Sequence, residues 1–253
     1  MVFAMGFGIA FEGCAAKAAF HVGVAEWMHE RGLRPAAVCG ASSGAIIASA
    51  IACRESAALR ESWLEVGDQP VFQPRRLLRG GWPFAMSDIV GEAVRKALGQ
   101  RRLSDVKIPL GIAVTVLGRR GFQRQTLTHR DEASLTDAVL ASCFLPGPYS
   151  KMIPVQGRLA LDGAWKVRTP CDDLLQLGVT KTIACVGNES AKLFAGFFRR
   201  AALEVPSHCR VLAPVEPLPM ASFDLDRRHM LASIEIGRRS ADKFFQNHEE
   251  WLL

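Results

Sequence analysis

Residues 36–53 read AAVCGASSGAIIASAIAC and contain the pattern that decides the fold. The apolar letters AAVC are typical of a short buried strand, and AIIASAIAC is typical of a buried helix. Between them stands GASSG, a G-x-S-x-G pentapeptide with Ser42 at its centre. This spacing predicts a sharp strand-to-helix turn, because Gly40 and Gly44 lie where a Cβ atom would clash with neighbouring backbone. We therefore predict that Ser42 is a nucleophile presented by this turn.

The same order of strand, glycine turn and helix precedes this stretch. Residues 2–11 are apolar and glycine-rich, which predicts a buried first strand, and residues 17–31 predict a helix that ends at Gly32. The alternation predicts an α/β fold with three α/β/α layers around a mostly parallel sheet. Further predicted strands are 108–117, 159–161, 181–186 and 210–212, and further predicted helices are 87–98, 134–142, 171–177 and 231–245.

Length and composition exclude several classes of protein. The chain has 253 residues, of which 49% are hydrophobic and 22% charged, so a disordered or fibrous chain is excluded and one domain over 1–253 is expected. The longest uncharged small-apolar run has about ten residues, where a membrane span needs roughly 20. The first residues, MVFAMGFGIAFEG, lack the features of a secretory signal, which favours a cytoplasmic protein. Seven cysteines without a CxxC pair argue against a disulfide framework or a zinc site, and we expect no metal or cofactor.

A serine nucleophile needs a base to take its proton. Three late histidines fit the Ser…Asp…His order of α/β-hydrolases, but Ser42 stands early for that fold and none of the three flanks a predicted strand end. Asp162 is the better candidate, since it follows the apolar run LAL at 159–161 and precedes Gly163. An acid at that position is expected at the carboxyl edge of the sheet, where α/β proteins bind ligands. A plain turn aspartate is the alternative reading.

Taken together, these segments resemble the patatin-like phospholipases, which are serine acyl hydrolases with a Ser–Asp dyad. Five blocks stand in the order found in that family: GCAAKA at 13–18, GASSG at 40–44, IPL at 108–110 with Thr115, ASCFLP at 141–146, and DGA at 162–164. The resemblance extends from about residue 5 to 245 and is weakest over 54–86. That segment is the least regular part of the first half, and we predict a variable cap or insertion over 54–100.

The resemblance implies that Ser42 is the nucleophile and Asp162 the general base of a lipid acyl hydrolase, acting through an acyl-enzyme. It also implies that the loop of Gly13, Cys14 and Ala15 supplies backbone N–H groups to the oxyanion. This loop departs from the family pattern, because cysteine and alanine replace two of its glycines. A catalytically impaired patatin-like scaffold that binds lipid or protein is therefore the alternative, and thioesterase or acyltransferase activity is a second enzymatic one.

Positive charge is concentrated in one quarter of the chain. Residues 70–130 contain twelve Lys and Arg against three acids, a net charge of +9, while the rest of the chain has a net charge of −3. This asymmetry predicts a polyanionic partner, and the absence of a nucleic-acid-binding motif favours anionic lipid over nucleic acid. Within 75–86, bases alternate with large apolar residues, which suits peripheral contact with an anionic membrane. The predicted lipid interface comprises Arg75, Arg76, Arg79, Trp82 and Phe84; an ordinary solvated face with a buried aromatic plug is the alternative.

Overall fold

The computed structural model describes residues 4–197 and 201–252, so two residues of the predicted first strand, Val2 and Phe3, lie outside it. The described residues contain a seven-stranded sheet in the order β4-β3-β2-β1-β6-β9, with β5 paired to β3. These strands are β1 (Ala4–Phe11), β2 (Arg34–Ala41), β3 (Leu110–Gly118), β4 (Gly121–Thr128), β5 (Ala160–Leu161), β6 (Lys181–Cys185) and β9 (Cys209–Leu212); β7 (Leu193–Phe194) and β8 (Ala202–Leu203) form a separate pair. β1, β2, β3, β6 and β9 are parallel, whereas β4 and β5 are antiparallel to β3. The predicted mostly parallel sheet is confirmed.

Helices cover both faces of this sheet. They are α1 (Ala19–Glu30), α2 (Ser43–Cys53), α3 (Leu59–Glu65), α4 (Met86–Leu98), α5 (Leu135–Ser142), α6 (Cys171–Gln176), α7 (Arg227–Asn247) and α8 (Glu249–Leu252). No helix in the described part of the chain is both long and apolar enough to cross a bilayer.

The side-chain alternation of β1 shows why the two faces differ. Phe7, Ile9 and Phe11 are fully buried in the larger core, which includes residues of α1, α2 and α7. The intervening Gly8 and Ala10 face the smaller core, where a Cβ on Gly8 would lie 2.9 Å from the Leu174 side chain of α6. Small residues therefore let α6 approach one face closely, and bulky residues fill the other.

The pairing of β3 brings two distant parts of the chain together. β4 pairs with one edge of β3 over its whole length. On the other edge, β2 pairs as far as Ala41 opposite Ala113, and β5 runs in the reverse direction and ends with Leu161 opposite Thr115. The two strands thus end towards each other along one edge of β3. The residue after β2 and the residue after β5 must meet there.

Three local expectations differ from the structure. β4 was not predicted, because its residues GFQRQTLT are mostly solvent-exposed at the sheet edge and lack an apolar run. The predicted helix 17–31 begins instead with a 3₁₀ turn at Ala15–Ala18 before α1. The cap region 54–100 contains the helix predicted at 87–98, which is α4, and also α3, which was not predicted.

Candidate active site

Ser42 occupies the sharp turn between β2 and α2. Its backbone lies at φ 53° and ψ −128°, a conformation that a residue with a side chain rarely adopts. A Cβ on Gly40 would lie 2.2 Å from the carbonyl oxygen of Gly44, and one on Gly44 would lie 2.3 Å from that of Phe11. Both glycines are therefore required by backbone contact, as the pentapeptide spacing predicts.

The Ser42 hydroxyl lies against the Asp162 carboxylate. Ser42 Oγ donates to Asp162 Oδ2 at 2.6 Å, and Asp162 Oδ1 accepts from the backbone N–H of Ala164 at 2.8 Å. The bond from Ala164 orients the carboxylate and leaves the other oxygen for the hydroxyl. A Cβ on Gly163 would lie 2.0 Å from the carbonyl oxygen of Ala113, so the glycine after the acid lets this segment lie directly against β3.

The route by which Asp162 reaches this position differs from the expected one. Asp162 directly follows β5, so it stands at the carboxyl end of a strand as expected, but that strand is antiparallel to β3. Asp162 meets Ser42 because β2 and β5 end towards each other, not because both strands leave the same edge of the sheet.

Burial shifts the protonation of Asp162. It is 2% exposed, and burial raises its pKa to about 7, against the opposing effects of the hydrogen bonds from Ser42 and Ala164. A base with a pKa near the working pH is effective in proton transfer. No histidine is among the described residues that line the cavity at Ser42. His21 is fully buried beside Phe11 and Phe20, and burial lowers its pKa to about 3, so it remains neutral in the core.

Ser142, which sequence reasoning did not single out as functional, holds the turn at Ser42 in place. Its hydroxyl accepts from the backbone N–H of Ser42 at 2.8 Å and donates to the carbonyl oxygen of Ala113 at 2.7 Å. The side chain is fully buried at the end of α5. It therefore connects the strained backbone of Ser42 to β3. The signal in the sequence is the ASCFLP block, in which Ser142 carries a hydroxyl that can both donate and accept.

Most N–H groups of the predicted oxyanion loop already have partners. Gly13 N donates to the carbonyl oxygen of Arg168 at 2.8 Å, and Cys14 N donates to Ser43 Oγ at 3.2 Å. Ala15 lies at φ 54°, and its N–H donates to none of the described residues. A Cβ on Gly13 would lie 2.6 Å from the Ala164 Cβ atom and 3.0 Å from that of Ser42. Gly13 thus provides room beside Ser42, and Ala15 carries the available donor.

A partly buried ion pair joins this loop to the segment after Asp162. Arg168 Nη2 lies 2.6 Å from Glu12 Oε1, and Glu12 Oε2 accepts from the backbone N–H of Gly187 at 2.7 Å. Burial raises the pKa of Glu12, and the Arg168 guanidinium opposes this rise. The carbonyl oxygen of Arg168 also accepts from Gly13 N. Arg168 therefore fixes the end of β1 against the segment that follows Asp162.

Two thiols near Ser42 are inert neighbours of the site. Cys143 and Cys14 are both buried, and burial raises the pKa of each well above its usual range. Protonated thiols are poor nucleophiles, so neither competes with Ser42. All seven cysteines of the chain are free.

A largely apolar cavity of about 700 Å³ opens at Ser42 and Asp162. Ile46 and Ala50 lie one and two helical turns beyond Ser42 on the same side of α2, so the cavity follows that helix. α3 and α4, which belong to the predicted cap, provide further walls. The apolar lining includes Ile46, Ala50, Leu59, Val66, Met86, Val90, Val94 and Leu98.

The residues of the predicted lipid interface are not equally exposed. Arg75 and Arg79 are exposed, whereas Arg76 Nη2 donates to Asp88 at 2.6 Å. Trp82 is 48% exposed, and its indole N–H donates to the carbonyl oxygen of Gly147 at 2.7 Å. Phe84 is half-buried against Phe72.

Part of the concentrated positive charge is neutralised by acids elsewhere in the chain. Lys96 pairs with Glu65, Arg101 with Glu55 and Arg124 with Asp173. The net charge of the sequence segment therefore overstates the charge of the folded surface.

Comparisons with known proteins agree with this architecture. A family model described as patatin-like phospholipase matches residues 9–175, which include both Ser42 and Asp162. The match covers more than half of the chain, and the protein belongs to the patatin-like phospholipase family. The resemblance inferred from the five sequence blocks is thereby confirmed. Comparison with curated proteins gave no match.

Two solved structures show the same fold. VipD from Legionella pneumophila aligns with a TM-score of 0.58 and 12% identity, over 97% of this chain and 67% of that one. Human GIVD cytosolic phospholipase A2, in complex with methyl gamma-linolenyl fluorophosphonate, aligns with a TM-score of 0.51 and 13% identity, over 99% of this chain and 60% of that one. At these identities the likeness concerns the fold. The chain spans about two thirds of the length of these neighbours, or less.

Proposed function

We propose that this protein is a lipid acyl hydrolase in which Ser42 is the nucleophile and Asp162 the general base. The observation that carries the proposal is the 2.6 Å hydrogen bond from Ser42 Oγ to Asp162 Oδ2 at the opening of the apolar cavity. Membership of the patatin-like phospholipase family supports the substrate class. Within that class we propose phospholipid or lysophospholipid esters.

The proposed reaction passes through an acyl-enzyme. Ser42 Oγ forms a bond to the ester carbonyl carbon while its proton passes to Asp162 Oδ2. The ester C–O bond then breaks, and the leaving alcohol takes the proton from Asp162. A water molecule next gives a proton to Asp162 and attacks the acyl carbon. The fatty acid leaves, and Ser42 recovers its proton.

We further propose that the N–H of Ala15 stabilises the oxyanion of both tetrahedral intermediates. It belongs to a loop that lines the cavity beside Ser42, and it is not committed to another described residue. The donors of an oxyanion hole each contribute about 2.7–4 kcal/mol of transition-state stabilisation in serine hydrolases. The positive φ of Ala15 is the conformation in which this loop holds that donor.

The acyl chain of the substrate is proposed to lie in the cavity between α2 and the cap of 54–100. A volume of about 700 Å³ lies within the range of sites that bury most of a ligand. Each methylene buried there contributes about 0.8 kcal/mol, which corresponds to about a fourfold gain in kcat/KM for each methylene added to the acyl chain. Longer acyl esters are therefore expected to be better substrates until the cavity is full.

Hydrolysis of a series of acyl esters by the purified protein tests this proposal. We expect Ser42→Ala to lower kcat on the order of 10⁴- to 10⁶-fold, and Asp162→Asn about 10⁴-fold, because the two groups act as one unit. Ser49→Ala is the matched control, since Ser49 also lies on α2 but does not line the cavity. Substantial activity in Ser42→Ala would remove the proposed mechanism.

One observation favours the alternative of a non-catalytic scaffold. The N–H groups of Gly13 and Cys14 already have partners, so fewer donors remain for an oxyanion than the family loop implies. On this alternative the cavity binds lipid without cleaving it, and the wild-type protein hydrolyses no faster than Ser42→Ala. The same assay therefore separates the two functions.

A further inference from the structure

Residues 71–85 form a flap that rises from the wall of the cavity. Its two ends are joined by backbone bonds from Gln73 N to the carbonyl oxygen of Pro83 at 2.7 Å and from Ala85 N to that of Val71 at 2.8 Å. The Phe72 and Phe84 rings pack across this base with centroids 5.3 Å apart. The flap is thus a hairpin-like unit with an ordered base and a projecting tip.

The flap exposes large apolar side chains that water solvates poorly. Leu78 is 88% exposed, Leu77 and Phe72 are each 57% exposed, and Trp82 is 48% exposed. Single exposed apolar residues are common on protein surfaces, but four in a segment of this size mark a contact surface. The 3₁₀ turn Pro74–Arg79 places Leu77 and Leu78 beside two arginines.

The charge of the flap identifies the kind of surface that it fits. Arg75 and Arg79 are exposed and have no ion-pair partner among the described residues. Arg76 and Lys151 both pair with Asp88, which lies just beyond the flap. The three arginines of the flap, Lys151 and Asp88 together carry a net charge of +3. Exposed apolar groups among uncompensated bases match the interface of an anionic bilayer, where acyl chains lie beneath negative headgroups.

The position of the flap connects this surface to the cavity. Val71 at its base and Met86 just beyond it line the cavity that opens at Ser42. The Trp82 indole bonds to Gly147 in the segment whose Leu145 and Tyr149 also line that cavity. A bilayer held by the tip would therefore lie close to the route by which a lipid reaches the site.

We propose that the flap of 71–85 is a docking surface for anionic lipid bilayers. Docking requires Leu77, Leu78, Arg75 and Arg79, and it is independent of the chemistry at Ser42. Its purpose, the delivery of lipid from the bilayer to the cavity, rests on the proposed function. Arg76 and Phe84, which the sequence also suggested, support the flap through Asp88 and Phe72 and do not face the membrane directly.

Vesicle co-sedimentation of Ser42→Ala protein tests docking without hydrolysis. Vesicles of phosphatidylcholine alone are compared with vesicles that also contain phosphatidylglycerol. We expect stronger binding to the anionic vesicles, weakened by salt, and a loss of roughly 25-fold or more in Arg75→Glu/Arg79→Glu, at about fivefold for each base. Leu77→Ser/Leu78→Ser is expected to lose at least about tenfold on the same vesicles.

A matched control separates local docking from overall charge. Lys107→Glu/Arg130→Glu makes the same change in charge at two exposed positions. Lys107 precedes β3 and Arg130 follows β4, so both lie beyond the amino end of β3, whereas Ser42 lies beyond the carboxyl end of β2. This control is expected to bind anionic vesicles within about twofold of the parent protein. The docking proposal is overturned by equal, salt-insensitive binding to both vesicles, by an equal loss in the control, or by an apolar variant that binds normally. The last of these outcomes, normal binding by the apolar variant, would assign the exposed leucines to a protein partner.

Hydrolysis of a short water-soluble ester distinguishes failure of docking from failure of the proposed function. With Ser42 restored, the flap variants are expected to cleave this ester at the wild-type rate, because none of the four changed residues lines the cavity. They are expected to lose activity on vesicle-bound lipid in proportion to their loss of binding. If the protein binds vesicles through the flap but cleaves no ester, docking stands and the proposed function fails.

Discussion

The turn at 40–44 and the loop at 13–18 border the same cavity, yet only the turn has kept all the glycines that the family pattern contains. Both segments hold a residue with a side chain at almost the same backbone angle, φ 53° at Ser42 and φ 54° at Ala15. In the turn, however, the glycines are needed for space, because a Cβ on Gly40 or Gly44 would lie within 2.3 Å of a backbone oxygen.

The loop shows that a conformational cost is tolerated where a steric clash is not. An alanine at positive φ costs roughly 1–2 kcal/mol, which surrounding contacts can offset. The loop has such contacts, since Gly13 N and Cys14 N are both bonded and Ala16 N donates to the carbonyl oxygen of Ser222 at 2.9 Å. The loss of a glycine from a motif therefore has a different meaning at Ala15 than it would have at Gly44.

The strongest test of this difference is Gly44→Ala. Its Cβ would meet the carbonyl oxygens of Phe11 and Glu12 at 2.3 and 2.7 Å, so we expect a loss of about 3 kcal/mol or more in the free energy of unfolding, with loss of activity. Denaturant unfolding measures the first and ester hydrolysis the second. Gly6→Ala is the control, because a Cβ there meets nothing within 4 Å. Equal stability of the two variants would contradict the steric account.

Asp162→Asn sharpens the comparison, because it measures how far the buried carboxylate that bonds Ser42 lowers the free energy of unfolding. Burial holds the pKa of Asp162 at about 7 in the folded state against a reference value of 3.8, so the folded state loses stability as pH rises between these values. We expect the variant to be more stable than wild type by up to about 4 kcal/mol above pH 7, and the difference to vanish below about pH 4. Denaturant unfolding across pH measures it. A difference that does not change with pH would show that the carboxylate is not held near pKa 7.

Ser142→Ala tests whether the strained backbone of Ser42 depends on the hydrogen bond to Ser142, as the loop depends on its backbone hydrogen bonds. Removal of the hydroxyl leaves the N–H of Ser42 without its acceptor, and we expect kcat to fall by about 10- to 100-fold with a stability loss of about 1–3 kcal/mol. Ser49→Ala on α2 is the matched control. That serine is fully buried, and its hydroxyl has no hydrogen-bond partner among the described residues. Wild-type kcat in Ser142→Ala would remove the positioning role.

Ala15→Gly is expected to have the smallest effect. It relieves the strain at φ 54° but increases the freedom of the unfolded chain by about 0.4–1 kcal/mol, so the net change in stability lies between zero and roughly 1 kcal/mol. Hydrolytic activity should be retained, because the N–H group is unchanged. Thermal unfolding and ester hydrolysis measure these two quantities. A large loss of activity would show that the alanine side chain itself has a function.

The sequence indicates the nucleophile turn well because local steric needs define it, and the helices that flank the sheet follow from their apolar periodicity. Asp162 could be selected from its position between an apolar run and a glycine. The strand pairing that brings it to Ser42 could not be predicted. That pairing depends on β4, a polar edge strand whose sequence lacks an apolar run. Because β4 occupies one edge of β3, β2 and β5 both pair with the other edge. Pairing between distant strands is absent from any local pattern.

The charges illustrate the same limit of local patterns. The excess of bases over 70–130 is visible in the sequence, but several of these bases pair with acids far away in the chain, such as Glu55 and Asp173. Which arginines remain free is a property of the fold. Arg75 and Arg79 could therefore be distinguished from Arg76 only once Asp88 was located.

The central claim is that Asp162 activates Ser42, and the rate of covalent modification by a fluorophosphonate measures this activation most directly. We expect a single adduct on Ser42, found by mass spectrometry of the digested protein. Its rate of formation should rise about tenfold per pH unit up to about pH 7 and then level off, as the buried carboxylate loses its proton. Asp162→Asn should abolish this reaction, and Ser142→Ala should slow it. An adduct on another residue, or modification of Ser42 at an undiminished rate in Asp162→Asn, would contradict the account.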